Sequence, residues 1–194
     1  LFFLERALEV LPAGESPIEL EIVEHEELSS VVIQDRIKTH IDVVILANTR
    51  ELKPIVIDTL QSFVEGGGGL LITVGDQISF EKTNSELEGL LPHPIRDFHQ
   101  AYDPLSDSRA LGIGEIDWDH PVLRGLGVSF EESIAASETR GYFNLATGAK
   151  GKTRTLLRFD NGAPALVEGV RPGGPVLLLT TTLDLDHSNL VLRS

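Results

Sequence analysis

Apolar positions along the chain switch repeatedly between helical and strand spacing. Leu1, Leu4, Leu8 and Leu11 recur at helical intervals until Pro12-Ala13-Gly14 stops the pattern. Residues 18–23 (IELEIV) alternate and predict a strand. Glu24, Glu26 and Glu27 follow as solvated surface. Residues 42–48 (DVVILAN) form a continuous β-branched run, the pattern of a strand buried on both faces. From Glu51, the spacing of Leu52, Val56, Leu60, Phe63 and Val64 predicts an amphipathic helix, with Pro54 in the first turn where proline is tolerated. Gly66 to Gly69 end that helix, and residues 70–74 (LLITV) read as another fully apolar strand.

The second half changes character. Residues 84–91 predict a short helix ended by Pro92, and residues 93–108 read as loop. A strand is expected near 111–116 and a helical turn near 120–123. Three strand-like runs close the chain at 153–159, 164–170 and 175–183, with Asn161-Gly162 and Pro172-Gly173-Gly174 between them. Asn-Gly between strands is a strong hairpin signal. The expected fold is therefore α/β: a parallel sheet with helices on both faces and an antiparallel C-terminal meander. It is expected to form one domain over residues 1–194, without internal repeat or linker. A chain that begins on a helix places the first strand of such a sheet upstream of Leu1.

Composition narrows the function. The 194 residues include 30 acidic and 16 basic side chains, for a formal charge of −14. Phosphate would be repelled over most of that surface, so a nucleic-acid partner is not expected. A hydrophobic content of 41% against 24% charged residues fits a globular chain. There is no cysteine, which removes thiol nucleophiles, disulfides and cysteine-ligated metals together. The chain opens at Leu1 and holds no methionine, as expected of a piece of a longer protein. No apolar run approaches the roughly 18 residues that would span a bilayer.

The candidate chemistry is sparse. Gly66 to Gly69 precede a strand, whereas a phosphate cradle runs strand, glycine loop, helix. They read as a helix cap and tight turn. Thr73-Val74-Gly75-Asp76-Gln77 lies at the carboxyl end of a strand, where open α/β sheets have their crevice. It reads as a glycine turn with a capping Asp76, or as a ligand contact by Asp76 or Gln77. Asn48-Thr49 ends the preceding strand, so the shared crevice would join Asn48, Thr49, Gly75, Asp76 and Gln77. None of the six histidines shows metal-ligand spacing on a helix. His93, Asp97 and His99 lie in a proline-containing stretch, Asp119 before His120-Pro121 reads as a helix cap, and Asp184, Asp186 and His187 follow the last strand. Trp118 reads as the cover of a core edge. No metal or cofactor is expected.

Three segments resemble a known family: DVVILANTREL, then LQSFVEGGGGLLITVGDQISFEKTNSELEGLLP, then LLRFDNGAPALVEGVRPGGPVLLLTTTLDLDHSNLVLR. They are similar to the class I glutamine amidotransferase-like domain of aerotolerance-type (Bat-like) bacterial membrane proteins. The resemblance implies a flavodoxin-like fold, a membrane-anchored parent with this domain on the extracytoplasmic, periplasmic side, and protein partners in an envelope complex. It does not imply catalysis. Glutaminases of that class carry Gly-x-Cys-x-Gly-His-Gln and a later His-Pro-Glu. Here Thr73 falls at the cysteine, Asp76 replaces the histidine, and Ile95 or Val122 follows the His-Pro pairs. A threonine hydroxyl without a base is a poor nucleophile.

The functional expectation is thus a non-catalytic binding or assembly domain with no catalytic residues. Two alternatives remain open. A small-molecule or carbohydrate-binding module predicts a pocket with an aromatic wall, for which Phe80 is the nearest aromatic in sequence. A divergent hydrolase would need Asp76 and His120 or His187 within about 3 Å of each other.

Overall fold

The computed structural model describes residues 2–8, 18–25, 27–29, 35, 37, 41–105, 109–124, 127–148, 151–185 and 187–190. Helix α1 (Phe2–Leu8) lies in the first helical pattern, while the stop at Pro12 lies outside the described residues. Residues 18–23 carry no strand. Their alternating face is not buried: Ile18 and Ile22 are exposed, and Val23 instead packs on the core. A 3-10 turn follows at Glu27–Ser29.

Strand β1 (Val43–Ala47), helix α2 (Pro54–Glu65) and strand β2 (Gly69–Thr73) form a crossover unit, with β1 and β2 parallel. The helix buries Val56, Leu60, Phe63 and Val64, the stripe its spacing predicts. Its last turn closes through Gly66 N–H to Ser62 O, Gly67 N–H to Val64 O and Gly68 N–H to Phe63 O, each 3.0 Å. Gly67 takes φ of 104°, where a side chain would be strained.

Helix α3 (Phe80–Glu86) starts four residues earlier than its pattern suggests, and residues 87–90 continue it only as turns. Strand β3 (Ile95–Gln100) lies inside the expected loop. Beyond it come β4 (Ile113–Ile116), α4 (Pro121–Arg124), α5 (Gly127–Ala135), β5 (Gly141–Leu145), β6 (Lys152–Phe159), β7 (Pro164–Val170) and β8 (Val176–Leu179).

Six strands form one sheet in the order β1-β2-β8-β7-β6-β4, and β3 pairs with β5 in a second, two-stranded sheet. In the large sheet β1–β2 and β2–β8 are parallel, whereas β8–β7, β7–β6 and β6–β4 are antiparallel. The β3–β5 pair is antiparallel as well. The fold is therefore a mixed, mostly antiparallel sheet, not the expected flavodoxin-like, amidotransferase-like parallel sheet with helices on both faces. Connection length is the physical reason. A parallel neighbour needs a crossover of a dozen residues or more, and only the chain around α2 joins sequence-adjacent parallel strands. The chain between β6 and β7 is a tight turn with Gly162 at φ 84°, which enforces antiparallel pairing. Only α2 and α5 among the five described helices exceed seven residues, too little helix to sheath both faces.

Two apolar clusters flank the sheet. One joins Leu46, Leu60, Phe63, Leu70, Ile72 and Leu178 under α2. The other joins Leu111, Leu123, Ile134, Tyr142, Leu156 and Phe159 in the antiparallel half. Trp118 packs on the edge of the second and meets Phe130 at 6.3 Å between ring centres.

Candidate functional site

The parallel strands β1, β2 and β8 end together, because Ala47 pairs with Thr73 and Thr73 with Leu179. The residues that follow them therefore form a crest at one edge of the sheet. Asn48 turns there with φ of 49°, the one non-glycine residue with positive φ among those described. Asparagine tolerates this left-handed backbone better than most residues. Its N–H donates to both Thr73 O and Thr73 Oγ1, each at 3.2 Å. Thr73 is only 2% exposed, so its hydroxyl is an internal acceptor and not a group on offer to solvent.

The Asn48 side chain lies across Gly75. A Cβ on Gly75 would sit 2.5 Å from Asn48 Cγ, so only glycine admits this approach. From there Asn48 Nδ2 donates to Asp76 Oδ1 at 2.8 Å, and Gln77 N–H donates to Asn48 Oδ1 at 3.1 Å. Gln77 Nε2 donates to Asp76 Oδ2 at 3.2 Å. Asn48, Gly75, Asp76 and Gln77 thus form one network. Thr49 stands beside it, lining with Leu46, Thr73, Ile78 and Glu86 a cavity of about 10 Å³. That is room for a single water.

The side-chain amide of Asn48, and then that of Gln77, hold the Asp76 carboxyl below the usual carboxylate range. His187 sits on the chain after β8, and its carbonyl accepts Arg140 N–H at 2.6 Å. Its ring lies 4.9 Å from that of Phe98 on β3. Phe98 in turn meets Phe143 edge-on at 5.2 Å and covers Gly141, where a Cβ would run into the ring. Phe80, the aromatic nearest the crest in sequence, packs against the core instead. Sequence reasoning missed Phe98 because residues 95–100 have no apolar face to announce a strand; only Ile95 is buried.

The remaining candidate clusters disperse. His120 is 6% exposed, with Nε2 at 3.1 Å from Glu168 Oε2 and Nδ1 accepting Val122 N–H at 3.3 Å. Both nitrogens are used, and His120, not the expected Asp119, caps α4. Asp117 accepts from Arg154 Nη2 at 2.8 Å, and Arg154 faces Glu168 across β6 and β7. The Arg154 guanidinium holds the Asp117 carboxyl below its ordinary range. His93 Nδ1 approaches Pro94 O, Asp97 pairs with Arg96, and His99 packs on Tyr142 at 5.1 Å. Among the described residues no three histidine or carboxylate side chains converge as metal ligands. Asp186 lies outside them. The side-chain hydrogen bonds of Asp76 run to Asn48 and Gln77, so the crest does not pair it with either histidine.

No family model matches the chain, and no curated protein matches it in sequence. Solved structures do. The cytoplasmic protein STM3548 from Salmonella typhimurium superposes with a TM-score of 0.70 at 17% identity, over 99% of this chain and 79% of that one. The cytoplasmic protein STM1381 from Salmonella typhimurium LT2 gives 0.67 at 16% identity, over 96% and 77%. The exo-beta-1,4-mannosidase Op5Man5 from Opitutaceae bacterium strain TAV5 gives 0.52 at 17% identity, over 92% of this chain but only 25% of the enzyme. At these identities the likeness is one of fold.

These findings overturn the resemblance to the Bat-like amidotransferase-like domain, which none of these structures represents. The segments that carried it have local explanations. Gly67 has a positive φ and a Cβ on Gly68 would run into the Phe63 ring, so local packing calls for glycine at these two positions whatever the family. The flavodoxin-like, membrane-associated and periplasmic assignments fall with it. Among the described residues no helix is long and apolar enough to cross a membrane. The extracytoplasmic, membrane-anchored placement rested on that resemblance and falls with it. Some of the similar structures are glycoside hydrolases, matched over a quarter of their length or less.

Proposed function

We propose that this chain is a non-catalytic binding or assembly domain whose ligand surface is the crest of Asn48, Asp76 and Gln77. The observation that carries this reading is the closed network over Gly75. The side chains of Asn48, Asp76 and Gln77 hold one another, and Thr73, at the position of a nucleophile elbow, is buried and already accepting a hydrogen bond. Such an arrangement presents a fixed set of donors and acceptors and activates none of them. The test is incubation with 4-nitrophenyl esters and 4-nitrophenyl glycosides. Wild type and Asp76→Asn should show the same background hydrolysis. Turnover that disappears in Asp76→Asn would make the domain an enzyme.

A second observation favours a small-molecule or carbohydrate ligand over a protein surface. A partly exposed aromatic ring, Phe98, stands next to His187 on the chain that follows β8. In this reading Phe98 on β3 would serve as the aromatic wall that such a module requires.

A further inference from the structure

The two ring nitrogens of His120 have different tasks. His120 stands just before Pro121, the first residue of α4, and its carbonyl accepts Leu123 N–H at 3.0 Å and Arg124 N–H at 2.9 Å. Nδ1 completes the cap by accepting Val122 N–H at 3.3 Å. An accepting ring nitrogen carries no hydrogen, so in the neutral ring the hydrogen sits on Nε2, which faces Glu168 Oε2 at 3.1 Å. The partners thus assign a single tautomer. His120 is buried, and only 16% of the Glu168 side chain is exposed. The other charged groups come from the elements around this pair. Arg154 on β6 lies opposite Glu168 in register but is committed to Asp117, donating through Nη2 to Oδ1 at 2.8 Å. Asp117 and Asp119 lie between β4 and α4, and Arg124 on α4 donates to Asp119 O at 2.9 Å. Three carboxylates therefore stand against two guanidiniums while His120 is neutral.

A second proton on the ring can go only to Nδ1, the nitrogen that caps. Nδ1–H would then face Val122 N–H, donor against donor, and that hydrogen bond is lost. The new charge is received at the other nitrogen, where the Glu168 contact becomes a charge-assisted pair without any movement of the ring. We propose that His120 is a proton-operated latch: proton uptake at Nδ1 exchanges the cap on α4 for an ion pair with Glu168 and releases the Val122 amide. The proton comes from solvent, and the N–H bond at Nδ1 is the only covalent bond formed. Opening is confined to the first turn, because Leu123 is buried in the second apolar cluster and holds the far end. The released residue, Val122, already has an exposed side chain, so nothing packed over it resists the change. Serine, asparagine or aspartate would also cap this turn, but histidine is the cap that ordinary changes of pH can withdraw. The latch shares no residue with the crest of Asn48, Asp76 and Gln77.

The test is nitrogen and amide NMR of the whole chain from about pH 8 to pH 5, the range in which histidines take up a proton. Nδ1 of His120 should give the signal of an unprotonated ring nitrogen at the alkaline end and of a protonated one at the acid end. Over the same interval the Val122 amide should exchange with solvent about tenfold faster, after correction for the intrinsic effect of pH on exchange. The amides of Phe159 and Thr180, bonded to Ala163 O and Ala165 O, should keep their protection, which separates this opening from acid unfolding. His120→Asn, which caps without titrating, should keep Val122 protected at both ends of the range. Glu168→Gln removes the counter-charge, so release should need a more acidic solution. A Val122 amide that stays protected while Nδ1 takes up its proton would overturn the inference. So would an Nδ1 already protonated at the alkaline end, or one that takes up no proton down to about pH 5. Equal release in a folded His120→Asn, or release at unchanged pH in Glu168→Gln, would overturn it as well. Should a variant not fold, the wild-type comparison of Nδ1 with Val122 decides alone.

Discussion

Asn48 shows how a single residue organises the crest. Its left-handed backbone turns the chain out of β1, and its amide then bridges Asp76 and the Gln77 backbone. Asn48 and Asp76 are legible in the sequence as the ends of consecutive apolar strands, and the register of Ala47 on Thr73 brings them side by side. Their mutual hydrogen bond is not legible, because it depends on the φ of one residue and the missing Cβ of Gly75. The consequence is a titration. In the folded chain the Asp76 carboxyl should titrate below the ordinary aspartate value of about 3.9. Because the folded value lies below the unfolded one, the associated stability is present above the unfolded value and is lost as pH falls through the folded one. Asn48→Ala removes the largest cause, so the midpoint followed by carboxyl NMR should rise towards the ordinary value. A midpoint that stays put in Asn48→Ala would assign the shift to other groups.

Elements with an apolar period were legible, and those without one were not. The stripe on α2 states its burial in sequence, and the β-branched run of β1 states a strand in the right place, although β1 is an edge strand with Val43 exposed and only Leu46 buried, not the strand buried on both faces that the run predicts. Strand β3 and its partner β5 lie in stretches without such a signal. β3 is held by pairing, with Phe98 opposite Phe143 and His99 opposite Tyr142, and pairing over such a separation is invisible to local pattern. Residues 18–23 fail in the opposite sense: a strand period is present, but no sheet face receives it. The glycine run after α2 is legible as a cap, but its second role is not. Gly174 donates to Val64 O at 2.7 Å, and a Cβ there would collide with the backbone of Gly67 and Gly68. Two distant loops thus pack backbone on backbone. Gly174→Ala should therefore cost about 2–3 kcal/mol by forcing them apart. Gly151→Ala, where a Cβ meets nothing within 4 Å, should stay within about 0.5 kcal/mol of wild type. Urea denaturation of the two variants compares them directly, and equal midpoints would mean that the loops do not need this contact.

The whole molecule combines a parallel half, built on β1, β2 and β8 under α2, with an antiparallel half built on β7, β6 and β4. Each half has its own apolar cluster, so what couples them decides whether the chain unfolds as one unit. The sheet is one coupling, through the antiparallel pair β7–β8. Arg171 is another. It leaves β7 and reaches the turns after α3, donating through Nη1 to Gly89 O at 2.6 Å and through Nη2 to Leu90 O at 2.8 Å. Burial lowers the pKa of its guanidinium from the ordinary arginine value, but arginine stays charged at any ordinary pH, so the clamp is charge-assisted throughout. Arg171→Ala leaves two carbonyls without their donor, and hydrogen bonds of this kind contribute roughly 1.5–3 kcal/mol each. Water will replace part of that loss at the exposed Gly89 carbonyl, so a total near 2 kcal/mol is expected. Arg171→Lys should recover little, because one ammonium cannot reproduce the two-pronged geometry. In urea, wild type should unfold in a single transition, and Arg171→Ala should move its midpoint down without changing its slope. If the variant instead unfolds in two steps, Arg171 and not the sheet is what makes the two halves cooperative.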